Sequence, residues 1–245
     1  MAIYRSNLIA PNLRPYFKLA DPPLQNCGHD VPSDPDFDPN CGYWTDDEAA
    51  ILYQVARQVG GQWADLGGRL GWTTAHIAAA GGSVDLIEPE AARGSAFTAR
   101  LEGNLNNFMV HYRESSLIVV QKRAQGYLQE ESMLIEGFVI DADHDAPQPT
   151  LDALGCERIA KPDAVILMHD FWGRPIQDAV ETLMRSGWRC RIYDTPNGVA
   201  LLWRGYRCDG GGPCLHPPNH VPDPAIDWLQ VRRGRAKGFS FERTE

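Results

Sequence analysis

Apolar residues recur along this chain at two spacings, and the switches between them outline its elements. Ile51, Leu52, Val55, Ala56 and Val59 recur at helical spacing. Thr45-Asp46-Asp47-Glu48 before them reads as a capping box, and Gly60-Gly61 ends the helix. A strand follows over 62–66, then a glycine turn and a helix through 74–80. Gly81-Gly82 precedes a strand over 84–87 that stops at Glu88, and 91–107 reads as helix. The stretch 108–136 is ambiguous, with 117–120 readable as strand or as part of a helix. Further on come a buried strand over 137–140 ending in Asp141, a helix over 151–160, and a strand over 164–168 ending in His169-Asp170. Pro175 suits a helix start, with Ile176, Ala179, Val180 and Leu183 on one face and Gly187 closing it. Two apolar runs, 188–193 and 199–203, flank Asp194-Thr195-Pro196-Asn197-Gly198, a hairpin signal.

Strands alternating with helices imply an α/β fold: a Rossmann-like, mostly parallel sheet with helices on both faces. The C-terminal hairpin adds an antiparallel strand at the edge. Residues 45–205 make this domain. Residues 1–44 carry seven prolines between Pro11 and Pro39, and from Cys27 to Glu48 there are acids but no Lys or Arg. Aromatic and leucine anchors, among them Leu13, Tyr16, Phe17 and Trp44, suggest an arm packed on the domain near its site. Residues 206–245 read as a Gly/Pro-rich loop and a weakly helical tail.

Composition narrows the function. The chain has 245 residues and a formal net charge of −9, so it repels a phosphate backbone at long range. Arg232, Arg233, Arg235 and Lys237 are the one basic cluster, and a solvated tail explains them. No nucleic-acid partner is expected. No apolar run approaches the roughly 20 residues of a membrane helix, and residues 1–20 lack the order of a signal peptide. Six scattered cysteines fit reduced thiols, so a soluble, cytoplasmic protein is expected.

The chemistry begins at Asp65-Leu66-Gly67-Gly68-Arg69-Leu70-Gly71, between the first strand and its helix. In an open α/β sheet, ligands bind outside the carboxyl ends of the strands. Glu88, ending the next strand, is placed to accept from two ribose hydroxyls. The glycine spacing is not G-x-G-x-x-G, which counts against a nicotinamide oxidoreductase, and Asp65 suits a cationic ligand better than pyrophosphate. Together these favour a nucleoside-containing cofactor. Asp141-Ala142-Asp143-His144 and His169-Asp170 end two neighbouring strands at the same edge. Asp143 and Asp145 read as loop caps. Asp141, His144 and Asp170 together read as metal-ligand or acid–base material.

Three segments carry a family resemblance: WADLGGRLGWTT at 63–74, FVIDADHDAPQPTLDAL at 138–154 and VILMHDFWGRPIQDAV at 165–180. They resemble class I S-adenosylmethionine-dependent methyltransferases, closest to the small-molecule and sugar O-methyltransferase-like group with an IDGDHSYE-type signature. The likeness spans about 41–204. It implies a methionine tail and sulfonium near Asp65, Gly67 and Gly71, a ribose on Glu88, and further cofactor contacts from Gly68 and Asp141. The adenine pocket is expected from the ambiguous stretch, at Ser115 or Ser116. Arg69 departs from the glycine common at its place.

For a hydroxyl acceptor, the resemblance implies His144 as general base, taking the proton near its own pKa of about 6.5. A divalent cation, magnesium or manganese, would sit on Asp141, His169 and Asp170. Relatives carry an acidic pair where this chain has His169-Asp170, and magnesium prefers oxygen. The metal therefore stays open between absent, weak, and a softer ion such as zinc. The expected partner is a small-molecule acceptor, and homo-oligomerisation stays open. Trp44, Trp72, Phe171 and Trp172 suit either an acceptor pocket or the core. A non-catalytic relative that binds a nucleoside, or an interaction module, is the alternative. Cys208, Cys214, His216 and His220 suit either a zinc clasp or a rigid loop, and their spacing is not a strong zinc pattern.

Overall fold

The structure is a computed structural model that describes residues 10–17, 44–93, 96–193, 195 and 197–205. Most of the proline-rich arm and the whole of 206–245 lie outside those residues. So do the Cys208–His220 loop and the Arg232–Lys237 cluster.

Helix α1, Asp46–Val59, starts as its capping box predicts: Glu48 N donates to Thr45 Oγ1 and Thr45 N to Glu48 Oε2. Its apolar stripe is buried through Ile51, Leu52, Val55 and Ala56. The chain continues through β1 Gln62–Leu66, α2 Trp72–Ala79, β2 Ser83–Ile87, α3 Ala96–His111 and β3 Ser116–Val120. Then come α4 Ala124–Glu130, β4 Ile135–Ile140, α5 Gln148–Ile159, β5 Ala160–Met168, α6 Arg174–Arg185, β6 Arg189–Tyr193 and β7 Val199–Trp203. The ambiguous stretch thus resolves into the end of α3, a strand, a short helix and the start of β4. Of the helix expected over 91–107, Pro89–Arg93 is a 3-10 turn and Ala96–His111 is α3.

Seven strands form one sheet in the order β3-β2-β1-β4-β5-β7-β6. The pairs among β1 to β5 are parallel, and β7 runs antiparallel to both β5 and β6. The antiparallel strand therefore lies one place in from the edge, with β6 outside it. Side chains alternate across the sheet as period two requires. Phe138 and Ile140 pack with α4, α5 and α6, whereas Trp63, Val139 and Val165 pack with α1, α2 and Phe108 of α3. Both faces are covered, so the strands are apolar on both sides. Leu13 and Phe17 of the arm are buried in the second of these clusters. Gly137 exists because the Trp63 indole lies over it: a Cβ there would meet the ring at 2.3 Å. Among the described residues no helix is long and apolar enough to cross a membrane.

The order reverses at β1, with β2 on one side and β4 on the other. This is the switch point at which open α/β sheets leave a crevice beyond the strand ends. Register makes that rim even. Leu66 pairs with Ile87 and with Ile140, and Ile140 with Met168. The next residue on each strand therefore lies in one row: Gly67, Glu88, Asp141 and His169.

Candidate active site at the strand ends

Backbone bonds continue the sheet into this row. Gly67 N donates to Ile87 O at 3.0 Å, Asp141 N to Leu66 O at 2.9 Å and His169 N to Ile140 O at 3.2 Å. Gly67 has φ +87, and a Cβ on it would meet Asp141 O at 2.3 Å. Glycine is thus dictated here by the close approach of the β4 end, before any ligand is considered. Arg69, the departure from the family pattern, takes a left-handed φ of 46 in the same turn.

Asp65 precedes the turn and is fully buried. Its Oδ2 accepts from Thr73 Oγ1 at 2.7 Å and Thr74 Oγ1 at 2.6 Å, both at the start of α2. Its Oδ1 has no hydrogen-bond partner among the described residues. Burial, with help from the charges of Asp141 and Glu88, pushes its carboxyl up to about 6 against the two hydroxyls. A buried oxygen left unpaired costs about 1–3 kcal/mol, so a donor brought by a ligand is the natural complement. Glu88 is 6% exposed, accepts from Glu90 N at 2.8 Å, and is raised chiefly by burial. These residues fit the polar end and ribose of S-adenosylmethionine: an acceptor without a donor and a second carboxylate one strand away.

The other half of the row is a charge cluster. His144 Nε2 lies 3.2 Å from Asp141 Oδ1 and 3.3 Å from Asp170 Oδ2. His169 Nδ1 lies 3.2 Å and 3.4 Å from the same two oxygens, and its Nε2 lies 3.2 Å from Glu48 Oε2. Carboxylates only accept, so both ring nitrogens of the fully buried His169 donate. Burial opposes that charge, but Asp141, Asp170 and Glu48 hold the ring well above the ordinary imidazole range. Asp141 is correspondingly lowered by His169 and His144 despite burial. His144 is raised: the two carboxylates outweigh its burial and the repulsion of His169. Asp170 adopts a left-handed φ of 53, a conformation Asp tolerates better than most residues.

Asp141, His144 and Asp170 offer ligand atoms within 4.8 Å of one another, a grouping able to hold a metal ion. His169, expected in that set, keeps Nδ1 beside the same two carboxylates but donates from both ring nitrogens, which leaves no lone pair for a metal. The structure does not bring Ser115 to the rim. Ser115 precedes β3, and its hydroxyl donates to Ala78 O at 3.3 Å. The five-residue strand, at about 3.3 Å per residue, separates it from the row, and Ser116 is that strand's first residue, at the same far end. The rim side of β3 is Gln121 to Arg123 instead.

Sequence reasoning did not find Glu48, Thr73, Thr74 or Asn197 as site neighbours. Asn197 N and Nδ2 donate to the two Glu48 oxygens at 3.1 and 3.3 Å. The capping box already explained Glu48, and nothing in the local pattern pairs it with a histidine 121 residues away. Trp44, predicted only as an anchor or wall, donates from Nε1 to Asp141 Oδ2 at 2.8 Å and stacks on His169 with ring centroids 4.6 Å apart. Trp72 and Phe171 are buried core residues, and Trp172 donates to Thr195 O.

No family model matches the chain, and no curated protein matches it. Solved structures do. An O-methyltransferase from Bacillus cereus, in complex with S-adenosylhomocysteine (SAH), superposes with a TM-score of 0.54 at 14% identity, covering 66% of this chain and 82% of that one. TomG, an O-methyltransferase from Streptomyces achromogenes in complex with S-adenosylmethionine, gives 0.51 at 16% identity, covering 68% and 83%. A precorrin-6y C5,15-methyltransferase from Geobacter metallireducens GS-15 gives 0.52 at 13% identity, covering 66% and 88%. At these identities the likeness is one of fold: the chain has the Rossmann-like architecture found in these methyltransferases.

Proposed function

We propose that this chain is an S-adenosylmethionine-dependent methyltransferase that methylates a small-molecule hydroxyl, with His144 as the general base. One observation carries the reading. A buried acceptor without a donor at Asp65, a carboxylate at Glu88 and the Asp141–His144–Asp170 cluster share one rim, across the switch point of the sheet. When bound, the cofactor supplies a methyl carbon on a sulfonium, open to in-line displacement by an acceptor oxygen. Asp65 Oδ1 would accept from its ammonium group and Glu88 from its ribose. His144 would take the acceptor's proton, with Asp141 and Asp170 stabilising the imidazolium that forms.

A divalent cation on Asp141, His144 and Asp170 would have a mixed oxygen and nitrogen shell, which suits manganese or zinc better than magnesium. Such a cation would occupy the lone pair that the base needs, so ligand and base are competing roles for His144.

Calorimetry with SAH, followed by methyl-transfer assays over a panel of hydroxyl compounds, tests the proposal. His144→Ala is expected to bind SAH as wild type does and to lose about 10²–10⁴-fold in turnover, the usual contribution of a general base. Full turnover in that variant refutes the base. Binding of SAH with no transfer by the wild type to any acceptor leaves a nucleoside-binding module.

A further inference from the structure

Glu48 does more than cap a helix. As a cap it needs only the Thr45 amide, and a capping carboxylate can sit in water. Here it has no exposed surface and collects Thr45 N at 2.8 Å, Asn197 N at 3.1 Å, His169 Nε2 at 3.2 Å and Asn197 Nδ2 at 3.3 Å, with the Thr195 side chain hydrogen-bonded to it as well. Removing a carboxylate from water is costly unless it is paired and hydrogen-bonded. Its ionic partner is His169, which is equally buried.

The far side of His169 reaches the acceptor end of the site. Asp141 Oδ1, His144 Nε2, Asp170 Oδ2 and His169 Nδ1 close a ring of alternating oxygen and nitrogen with sides of 3.2, 3.3, 3.4 and 3.2 Å. Both carboxylates meet His144 with the same oxygen that they present to His169. The orientation of His169 therefore sets where those oxygens lie, and Glu48 fixes that orientation from behind. Trp44, at the same entry to α1, holds the other Asp141 oxygen and lies over the His169 ring at 15° between planes.

We propose that Glu48 is the positioning residue of the acceptor-activating cluster: from the first turn of α1 it locks His169 so that Asp141 and Asp170 keep their oxygens on His144. This rests on reading His144 as the base. No hydrogen bond or ion pair described for Glu48 reaches Asp65 or Glu88, so its link to the cofactor end runs only through His169 and Asp141. Glu48→Gln keeps the shape but turns an NH₂ group either toward Asn197 N or toward the three donors on Oε2, so at least one contact is lost.

The test uses the full chain labelled with nitrogen-15 and reads the imidazole signals of His169 and His144, alongside calorimetry with SAH. In Glu48→Gln both histidines' ring-nitrogen signals are expected to move, although Glu48 touches only one of them. SAH affinity should fall far less than the about tenfold expected on loss of the Asp65 carboxylate, since Glu48 reaches the cofactor end only through His169 and Asp141. Asn197→Ala leaves Glu48 in place and removes one donor, so it serves if Glu48→Gln does not fold. It should shift both histidines in the same direction by less. Signals of His144 that stay at their wild-type positions while those of His169 move would overturn the proposal. So would a change confined to thermal stability, as a purely structural role requires. Failure of the wild type to bind SAH would count against the proposed function instead, since the imidazole signals are read without it.

Discussion

Asp65 has one oxygen saturated by Thr73 and Thr74 and the other without a partner among the described residues. Burial raises its carboxyl from 3.8 to about 6. The folded chain thus favours the protonated form more than the unfolded chain does. That contribution to stability is complete below 3.8 and is lost as pH rises through about 6. A cationic group bound at Oδ1 requires the ionised form, so the signs of binding and stability oppose. SAH affinity should be flat above about pH 7 and weaken toward about tenfold per unit below pH 6, read by calorimetry across pH. Asp65→Asn should melt no lower than wild type at pH 8, yet bind SAH at least about tenfold more weakly, since a hydrogen bond to a charged group contributes about 1.5–3 kcal/mol. A lower melting temperature with unchanged affinity would make Asp65 a structural residue only.

Elements bring these residues together, and the tightest junction is the β1 turn. Gly67→Ala would place a Cβ 2.3 Å from Asp141 O on a backbone with φ +87, whereas Gly81→Ala, at φ +93, meets nothing within 4 Å. The second change should cost about 1–2 kcal/mol for the left-handed conformation alone. The first adds about 1–3 kcal/mol of overpacking. Urea unfolding should show the lower midpoint for Gly67→Ala at unchanged slope. Equal midpoints would mean that β1 and β4 can part at the rim without loss. Elements with a strong local code were readable from the chain: α1 from its cap and stripe, β1 from its stop at a glycine turn, and β2 and β4 from apolar runs with hard stops at Glu88 and Asp141. The elements between α3 and β4 were not. Edge strand β3 leaves Ile118 60% exposed, so its exposed and half-buried positions alternate without any matching polar–apolar alternation in the sequence. Helix α4 has seven residues with Gly126 in the middle, too few turns to display a period. Ser115 was expected at the rim for this reason: without the limits of β3 its two ends cannot be told apart, and the structure puts Ser115 at the far one.

At the scale of the molecule, the sheet order turns separated motifs into one row. The resemblance across 63–180 supplied most of that row, because each signature ends a strand that register then aligns. What it could not supply is the reach of α1 behind His169, a contact between residues 48 and 169 that only packing creates. A ligand that binds the folded chain alone stabilises it by mass action, about 2.7 kcal/mol at a hundredfold excess over Kd. SAH should therefore raise the melting temperature in proportion to the logarithm of its concentration, and NAD should not. The most direct test of the central claim is calorimetric titration of the wild type and Asp65→Asn with SAH at pH 8. The account predicts saturable binding at one site per chain, weakened at least about tenfold by the substitution. No binding of SAH by the wild type, or equal binding by both proteins, would contradict it.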